Sequence, residues 1–245
     1  MADLLTIRCL DDNYAYLVHG GGQTMLVDAP EAGPILAELW RRDWRLDAIL
    51  LTHHHDDHVQ AVPEIVAATG AQVWGNAADA HRLPPLDRAL RPGDSAPICG
   101  ETVTVLDVPG HTVGHVAYHM PQAGLVFTAD SLMAIGCGRL FEGTAAQMWG
   151  SLSRLGELPD DTLVCSGHDY TRGNGAFALS VDPDNAALRA RVDAILAGSR
   201  EASPATLAEE KATNPFLRAP RLARAGEDPL AAFTRLRAEK DAFRG

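Results

Sequence analysis

The segment that most constrains this chain is Thr-His-His-His-Asp-Asp-His, residues 52–58, which follows an apolar strand directly. Such a cluster is costly to bury without a partner, whereas imidazoles and carboxylates together are ligands that zinc, iron or manganese accept. Alternate residues of an extended segment share a face, so His53 and His55 can bind one ion. Asp57 and His58, on the turn into the next helix, can reach a second. The segment therefore predicts a metal site at the end of a buried strand.

Three later segments place similar side chains after apolar strands. They read Gly-His-Thr-Val-Gly-His at 110–115, Thr-Ala-Asp-Ser at 128–131 and Ser-Gly-His-Asp at 166–169. Residues at the ends of several strands converge at one edge of a sheet, the usual location of a site in α/β folds. An exposed polar loop is the alternative explanation of the histidine run, and the recurrence of these residues argues against it.

The spacing of apolar residues predicts sheets covered by helices over the first two thirds of the chain. Apolar runs at 4–10, 14–20 and 23–29, separated by turn residues, predict an antiparallel meander. A helix beginning near Pro34 and a buried strand at 46–51 extend it into a β-α-β unit. Further elements are predicted near 102–108, 115–120, 124–128, 144–157 (a helix) and 162–166.

From about residue 172 the strand signals stop. After Asn185, apolar residues recur at helical intervals, and Asp228-Pro229 has the residue types of a helix N-cap and first turn. We therefore predict an α/β fold with two domains, a metal-binding domain over residues 1–171 and a helical domain over 172–245.

Composition and charge exclude several classes of protein. Lys plus Arg number 21 and Asp plus Glu 32, a net charge of −11, which disfavours binding to phosphate backbones or anionic membranes. The chain has two lysines, Lys211 and Lys240, and neither follows a glycine-rich loop, so P-loop nucleotide hydrolysis is excluded. The chain has no basic leader before an apolar stretch, and its four cysteines lack CxxC spacing, which fits a reducing compartment. We expect a cytoplasmic monomer with no nucleic-acid or membrane partner.

The order His-x-His-x-Asp-His, Gly-His-Thr, an isolated Asp and a late Gly-His resembles the metallo-β-lactamase superfamily. The resemblance covers essentially the whole chain and implies an αββα sandwich followed by a smaller C-terminal α-helical domain. The chain is further similar to glyoxalase II, the hydroxyacylglutathione hydrolases, in five stretches: 127–132 (Phe-Thr-Ala-Asp-Ser-Leu), 136–143 (Gly-Cys-Gly-Arg-Leu-Phe-Glu-Gly), 167–171 (Gly-His-Asp-Tyr-Thr), 214–218 (Asn-Pro-Phe-Leu-Arg) and 237–243 (Arg-Ala-Glu-Lys-Asp-Ala-Phe).

This resemblance implies two divalent ions per chain. Zinc is expected, and iron and manganese also accept these ligands. A hydroxide bridging the ions would attack an acyl carbon, which makes Asp57 and Asp130 catalytic residues as well as ligands. The implied ligands are His53, His55 and His111 for one ion, Asp57, His58 and His168 for the other, and Asp130 for both.

The resemblance also implies a glutathione site made by Arg139, Phe141, Tyr170, Arg237 and Lys240. Arg237 and Lys240 are three apart on the last predicted helix and so share a face, and arginine suits carboxylates. Arg139 stands where relatives carry lysine. Phe141 lacks the hydroxyl that some relatives have there, which would weaken affinity by about 0.5–1.5 kcal/mol. A solvated charged face is the alternative for the basic residues.

The implied reaction is hydrolysis of S-(2-hydroxyacyl)glutathione, chiefly S-D-lactoylglutathione to D-lactate and glutathione, the second step of methylglyoxal detoxification. The alternative is a persulfide dioxygenase with one iron, or another hydrolase of the superfamily; His58 and His168 favour two ions instead. A lactam hydrolase fits poorly because of the helical C-terminal part, and a nucleic-acid-processing relative because of the negative charge. A non-catalytic module fits poorly because structural zinc sites are usually closed and rich in cysteine.

Overall fold

The computed structural model describes residues 2–244, and the chain divides into two compact units. The first unit comprises Met1–Asp107 and Gly114–Thr128, and the second comprises Val108–Val113 and Ala129–Gly245. This division by compactness does not test the predicted domain boundary at residue 171, which stays a prediction.

A six-stranded sheet forms the centre of the first unit. It starts as an antiparallel meander and continues in parallel from the third strand onward, because a helical crossover returns the chain to the same edge. The predicted meander and β-α-β unit are therefore confirmed. In spatial order the strands are β1 (Asp3–Cys9), β2 (Asn13–Gly20), β3 (Gln23–Val27), β4 (Ala48–Leu50), β5 (Gln72–Asn76) and β6 (Arg88–Leu90).

Helices cover one face of this sheet. The helix α1 spans Ala32–Arg42, α2 spans Asp56–Val59 and α3 spans Val62–Thr69, and a short 3-10 turn follows at Ala77–Asp79. Apolar residues of α1 and α3 share one buried cluster with β2, β3 and β4. All three residues of β4 are buried, as its uninterrupted apolar sequence predicts.

The other face of the sheet carries a second layer of antiparallel strands. These are β7 (Ser95–Ile98), β8 (Glu101–Asp107), β9 (Val116–Met120) and β10 (Leu125–Ala129). The Tyr118 hydroxyl donates to Leu51 O at 2.8 Å, and Val116 N donates to Thr52 O at 3.0 Å. These bonds hold the chain directly before the histidine segment, which is where the predicted site begins.

The second unit is mostly helical. The expected caps are present, since Asn185 accepts from Leu188 N at 3.0 Å and Asp228 accepts from Ala231 N at 2.8 Å. The expectation that no strand follows residue 172 is wrong, because Ala205–Thr206 forms a strand, β14. A strand of two residues is too short to produce an alternating pattern in the sequence.

The elements of the second unit are β11 (Leu132–Met133), β12 (Gly136–Cys137), α4 (Ala145–Gly156), β13 (Leu163–Ser166), α5 (Thr171–Val181), α6 (Ala186–Leu196), β14 (Ala205–Thr206), α7 (Leu207–Thr213) and α8 (Pro229–Ala242).

Within residues 2–244, none of the helices combines the length and the apolar character that crossing a bilayer requires.

Candidate metal centre and cavity

Four predicted ligands lie in the first unit, directly after β4. His53 Nε2 and His55 Nδ1 are 3.1 Å apart, so the alternation of the extended segment brings these two rings together. Asp57 and His58 lie in α2, with Asp57 Oδ2 3.9 Å from His58 Nε2. His53 and His58 are buried, whereas the Asp57 side chain is 42% exposed. We call these four residues the first ligand group.

A buried carboxylate that the sequence analysis did not single out, Asp28, holds the first ligand group. Its Oδ2 lies 2.7 Å from His58 Nδ1 and accepts from the Thr52 hydroxyl at 2.8 Å. The same hydroxyl lies 3.0 Å from His53 Nδ1. One nitrogen of each ring is thus engaged, which leaves Nε2 for a metal. The available signal was the position of Asp28 directly after the apolar strand β3.

His54 and His115 lie around this group in different ways. His54 Nδ1 is 3.3 Å from Asp79 Oδ2, and Asp79 also pairs with Arg82 at 2.6 Å. His54 therefore pairs with Asp79, whereas His53 and His58 contact Thr52 and Asp28. A different partner is expected for a residue on the opposite face of the extended segment. The His115 ring stacks on His53, with centroids 4.6 Å apart and planes 14° from parallel. His115 thus supports a predicted ligand by ring packing.

The other three predicted ligands, His111, Asp130 and His168, lie together in the second unit and are buried. Asp130 Oδ2 is 3.3 Å from His111 Nε2, and Asp130 Oδ1 is 3.4 Å from His168 Nε2. His111 Nδ1 lies 2.8 Å from Arg139 O. A carbonyl only accepts, so Nδ1 carries a proton, and Nε2 is the nitrogen left for a metal. His168 stacks on Tyr170 at 4.6 Å. We call these three residues the second ligand group.

Gly138 closes a tight loop beside the second ligand group. Its backbone N donates to Asp130 O at 3.0 Å. A Cβ at this position would collide with that oxygen and lie 2.8 Å from His111 Nδ1. Glycine is therefore required here because the backbone passes directly between two predicted ligands.

Buried side chains from the C-terminal part hold the loop that runs from β11 to β12. Asn214 Nδ2 donates to Met133 O at 3.1 Å and to Gly136 O at 2.9 Å. The same amide group donates to Glu210 Oε2 at 3.0 Å, and Glu210 is paired with the buried Arg191. Asn214 begins one of the stretches that carry the resemblance, but its link to Glu210 and Arg191 could not be predicted, because single polar residues on α7 and α6 carry no positional signal.

A cavity of about 640 Å³ lies within the second unit. Its volume is in the usual range of about 300–1,000 Å³ for small-molecule sites. His111 and Asp130 contribute to its lining, which places it beside the second ligand group. The lining also includes all five residues predicted to bind glutathione: Arg139, Phe141, Tyr170, Arg237 and Lys240.

Arg237 is the most enclosed of the predicted substrate contacts, with 4% of its surface exposed. Its Nη1 donates to Cys137 O at 2.9 Å, and its Nη2 pairs with Asp241 at 2.7 Å. Burial raises the pKa of the Cys137 thiol to about 11 despite the nearby guanidinium. The thiol is therefore protonated at neutral pH.

The remaining predicted contacts are more accessible. Phe141 is 63% exposed, and its ring centroid lies 5.3 Å from that of His111. Lys240 Nζ donates to Gly173 O at 2.9 Å. Burial, and then the charges of Arg237 and Arg139, lower the pKa of Lys240. The neighbouring charges of Arg237 and Arg139 favour an anionic ligand beside Lys240, because a bound carboxylate would offset their repulsion.

Comparison with known proteins identifies relatives along almost the whole chain. The family model "Metallo-beta-lactamase superfamily" matches residues 10–168, and "Hydroxyacylglutathione hydrolase C-terminus" matches residues 169–243. A protein of Fuscovulum blasticum named hydroxyacylglutathione hydrolase is 59% identical, covering 98% of this chain and 99% of its own. One of the same name from Jannaschia sp. (strain CCS1) is 58% identical, covering 99% and 100%.

Solved structures agree with these matches. ETHE1 from Myxococcus xanthus aligns with a TM-score of 0.71 and 27% identity, covering 97% of this chain and 90% of that one. TTHA1623 in a di-iron-bound form aligns with a TM-score of 0.65 and 28% identity, covering 87% and 99%. The predicted fold class, an αββα sandwich followed by a helical C-terminal region, is thereby confirmed.

Proposed function

The chain belongs to the metallo-β-lactamase superfamily and, within it, to the hydroxyacylglutathione hydrolases, and we propose that it hydrolyses S-(2-hydroxyacyl)glutathione, chiefly S-D-lactoylglutathione, to D-lactate and glutathione. This would be the second step of methylglyoxal detoxification. The observation that carries the proposal is the cavity of the second unit, whose lining combines predicted metal ligands with cations suited to a tripeptide that bears two carboxylates.

The donor sets of both ligand groups fit divalent ions. In each group, imidazole nitrogens and carboxylate oxygens lie close to one another, and second nitrogens of the rings are held by other protein atoms. Zinc is the proposed metal and iron the main competitor, since one related protein is described in a di-iron-bound form. The residues proposed to hold two ions are His53, His55, Asp57, His58, His111, Asp130 and His168.

When bound, two divalent ions lower the pKa of a water molecule and polarise a carbonyl group. The protein's own residues prepare this chemistry by orientation. Arg139 O holds the His111 ring through Nδ1, with Nε2 3.3 Å from Asp130 Oδ2, and Asp28 holds the His58 ring through its Nδ1. Because a thiolate is a good leaving group, the reaction needs no separate strong general acid, and Cys137 is not required as a nucleophile.

The proposed substrate contacts divide by depth. Arg139 and Lys240 would bind a carboxylate of the tripeptide, and the exposed rings of Phe141 and Tyr170 would pack on its backbone. Arg237 lies deeper, where it donates to Cys137 O and pairs with Asp241, and it would contact glutathione from that buried position. We also propose that the protein is a cytoplasmic monomer, which light scattering during size-exclusion chromatography and cell fractionation would test.

The decisive experiment follows the loss of thioester absorbance from S-D-lactoylglutathione with purified protein, after chelation, and after return of Zn²⁺ or Fe²⁺. We expect activity that disappears with the metal and returns with it. Full activity without metal would refute the metal mechanism. If the folded, metal-loaded protein is inactive, the thioesterase proposal fails, and oxygen consumption with glutathione persulfide then tests the dioxygenase alternative.

A further inference from the structure

The cavity lining contains a cation that the predicted glutathione site leaves out. Arg172 lies in the first turn of α5, lines the cavity and is exposed. Across residues 2–244, its guanidinium has no hydrogen bond or ion pair with another protein group. Arg237 and Lys240, by contrast, already donate to Cys137 O and Gly173 O. Arg172 therefore offers all its donors to a ligand, in a fork that matches a carboxylate.

An acidic residue of the same helix start also lines this cavity. Asp169 Oδ1 accepts from Thr171 N at 3.2 Å, which fixes the carboxylate at the beginning of α5. Asp169 and Arg172 are three residues apart across that helix start. This part of the lining thus presents both signs of charge, in contrast to the predominantly cationic part formed by Arg139 and Lys240.

We infer that Arg172 binds the α-carboxylate of the γ-glutamyl residue of the thiol tripeptide, with Asp169 facing the ammonium group of the same residue; this rests on the proposed function. The γ-glutamyl end is the only part of glutathione that carries both charges, whereas the glycine end carries a carboxylate alone. The γ-glutamyl arm is also the longer of the two, which suits a contact with an exposed residue such as Arg172. The glycine carboxylate is left for the half-buried Lys240.

Arg172 then determines substrate specificity without touching the reacting thioester. Such a contact is the same in the ground state and in the transition state, so its removal raises KM and leaves kcat unchanged. The effect must also depend on the γ-glutamyl carboxylate, because without that group Arg172 has nothing to bind.

The experiment compares Arg172→Gln with the wild-type enzyme on two thioesters. One is S-D-lactoylglutathione, and the other is its analogue with 4-aminobutanoyl in place of γ-glutamyl, which lacks only the α-carboxylate. We expect the substitution to raise KM for the first substrate about fivefold, the usual loss for an accessible charge-assisted bond, with kcat unchanged. For the analogue, we expect wild type and variant to have the same KM.

The matched control is Arg189→Gln, since Arg189 is exposed on α6 and is absent from the cavity lining. Arg189→Gln should change neither KM nor kcat for either thioester. An unchanged KM in the Arg172 variant, or an equal loss on both substrates, overturns the inference. If the wild-type enzyme cleaves neither thioester, the proposed function fails separately. In that case, calorimetry with S-methylglutathione tests the inference about Arg172. Weaker binding by Arg172→Gln than by wild type upholds it, and equal or undetectable binding by both overturns it.

Discussion

The two ligand groups differ in how their side chains are held. The first group comes from one short segment, and other side chains orient it, since Asp28 contacts His58 and the Thr52 hydroxyl. The second group comes from three distant segments, and the backbone orients it, since Arg139 O accepts from His111. A single substitution of a supporting side chain can therefore disturb the orientation of the first group. The orientation of His111 in the second group changes only if the backbone at Arg139 moves.

The largest effect is expected from a ligand itself. Asp130→Asn replaces the only carboxylate of the second group and should lower kcat about a thousandfold, since Lewis-acid catalysis is worth several kcal/mol. Metal content by mass spectrometry should fall as well. Asp161→Asn, an exposed acid elsewhere in the second unit, is the control. Wild-type kcat with both ions present would remove Asp130 from the proposed centre.

The next effect tests whether the second group depends on its surrounding backbone. Glu210→Gln removes the nearer and more deeply buried of two carboxylate partners of Arg191, leaving Glu209 Oε1 at 4.0 Å, and weakens the bonds to Ile135 N and Asn214. It should lower the free energy of unfolding by about 3 kcal/mol, as for other broken buried pairs. Urea denaturation of the variant and of the exposed control Glu157→Gln measures this. Equal midpoints for the two variants would show that the network does not stabilise the loop.

A pair of variants tests the contrast between side-chain and backbone support. Asp28→Asn should weaken metal affinity about 10- to 100-fold, the usual cost of losing a carboxylate behind a histidine ligand. Arg139→Gln should leave metal affinity unchanged, because His111 contacts the backbone oxygen and not the guanidinium. Competition with a chromogenic chelator measures both. Equal metal loss in the two variants would contradict the comparison.

The smallest effect concerns the rim of the cavity. Phe141→Tyr restores a hydroxyl on an exposed ring and should strengthen glutathione binding by about 0.5–1.5 kcal/mol, with kcat unchanged. The inhibition constant of S-methylglutathione measures the change. Phe141→Leu, which has no hydroxyl, serves as the comparison, and weaker inhibition of the Tyr variant would argue against a hydroxyl contact at this rim.

The sequence by itself determined the features that depend on neighbouring residues. The run of ligands at 53–58 follows a strand whose apolar sequence makes it buried, and alternation alone brings His53 and His55 together. The meander and the capped helices follow from short-range periodicity and turn residues, so they too could be predicted. The ligand roles themselves rest on the resemblance and stay predictions.

Only the tertiary structure decided the support around those residues. Asp28 meets His58 from another strand, Gly138 passes between Asp130 and His111, and Glu210 reaches the β11–β12 loop from α7. Each is a single residue with no repeat or spacing that marks it. Its contacts exist because distant segments approach one another when apolar surface is buried, and hydrogen bonds then form wherever the buried polar groups require partners.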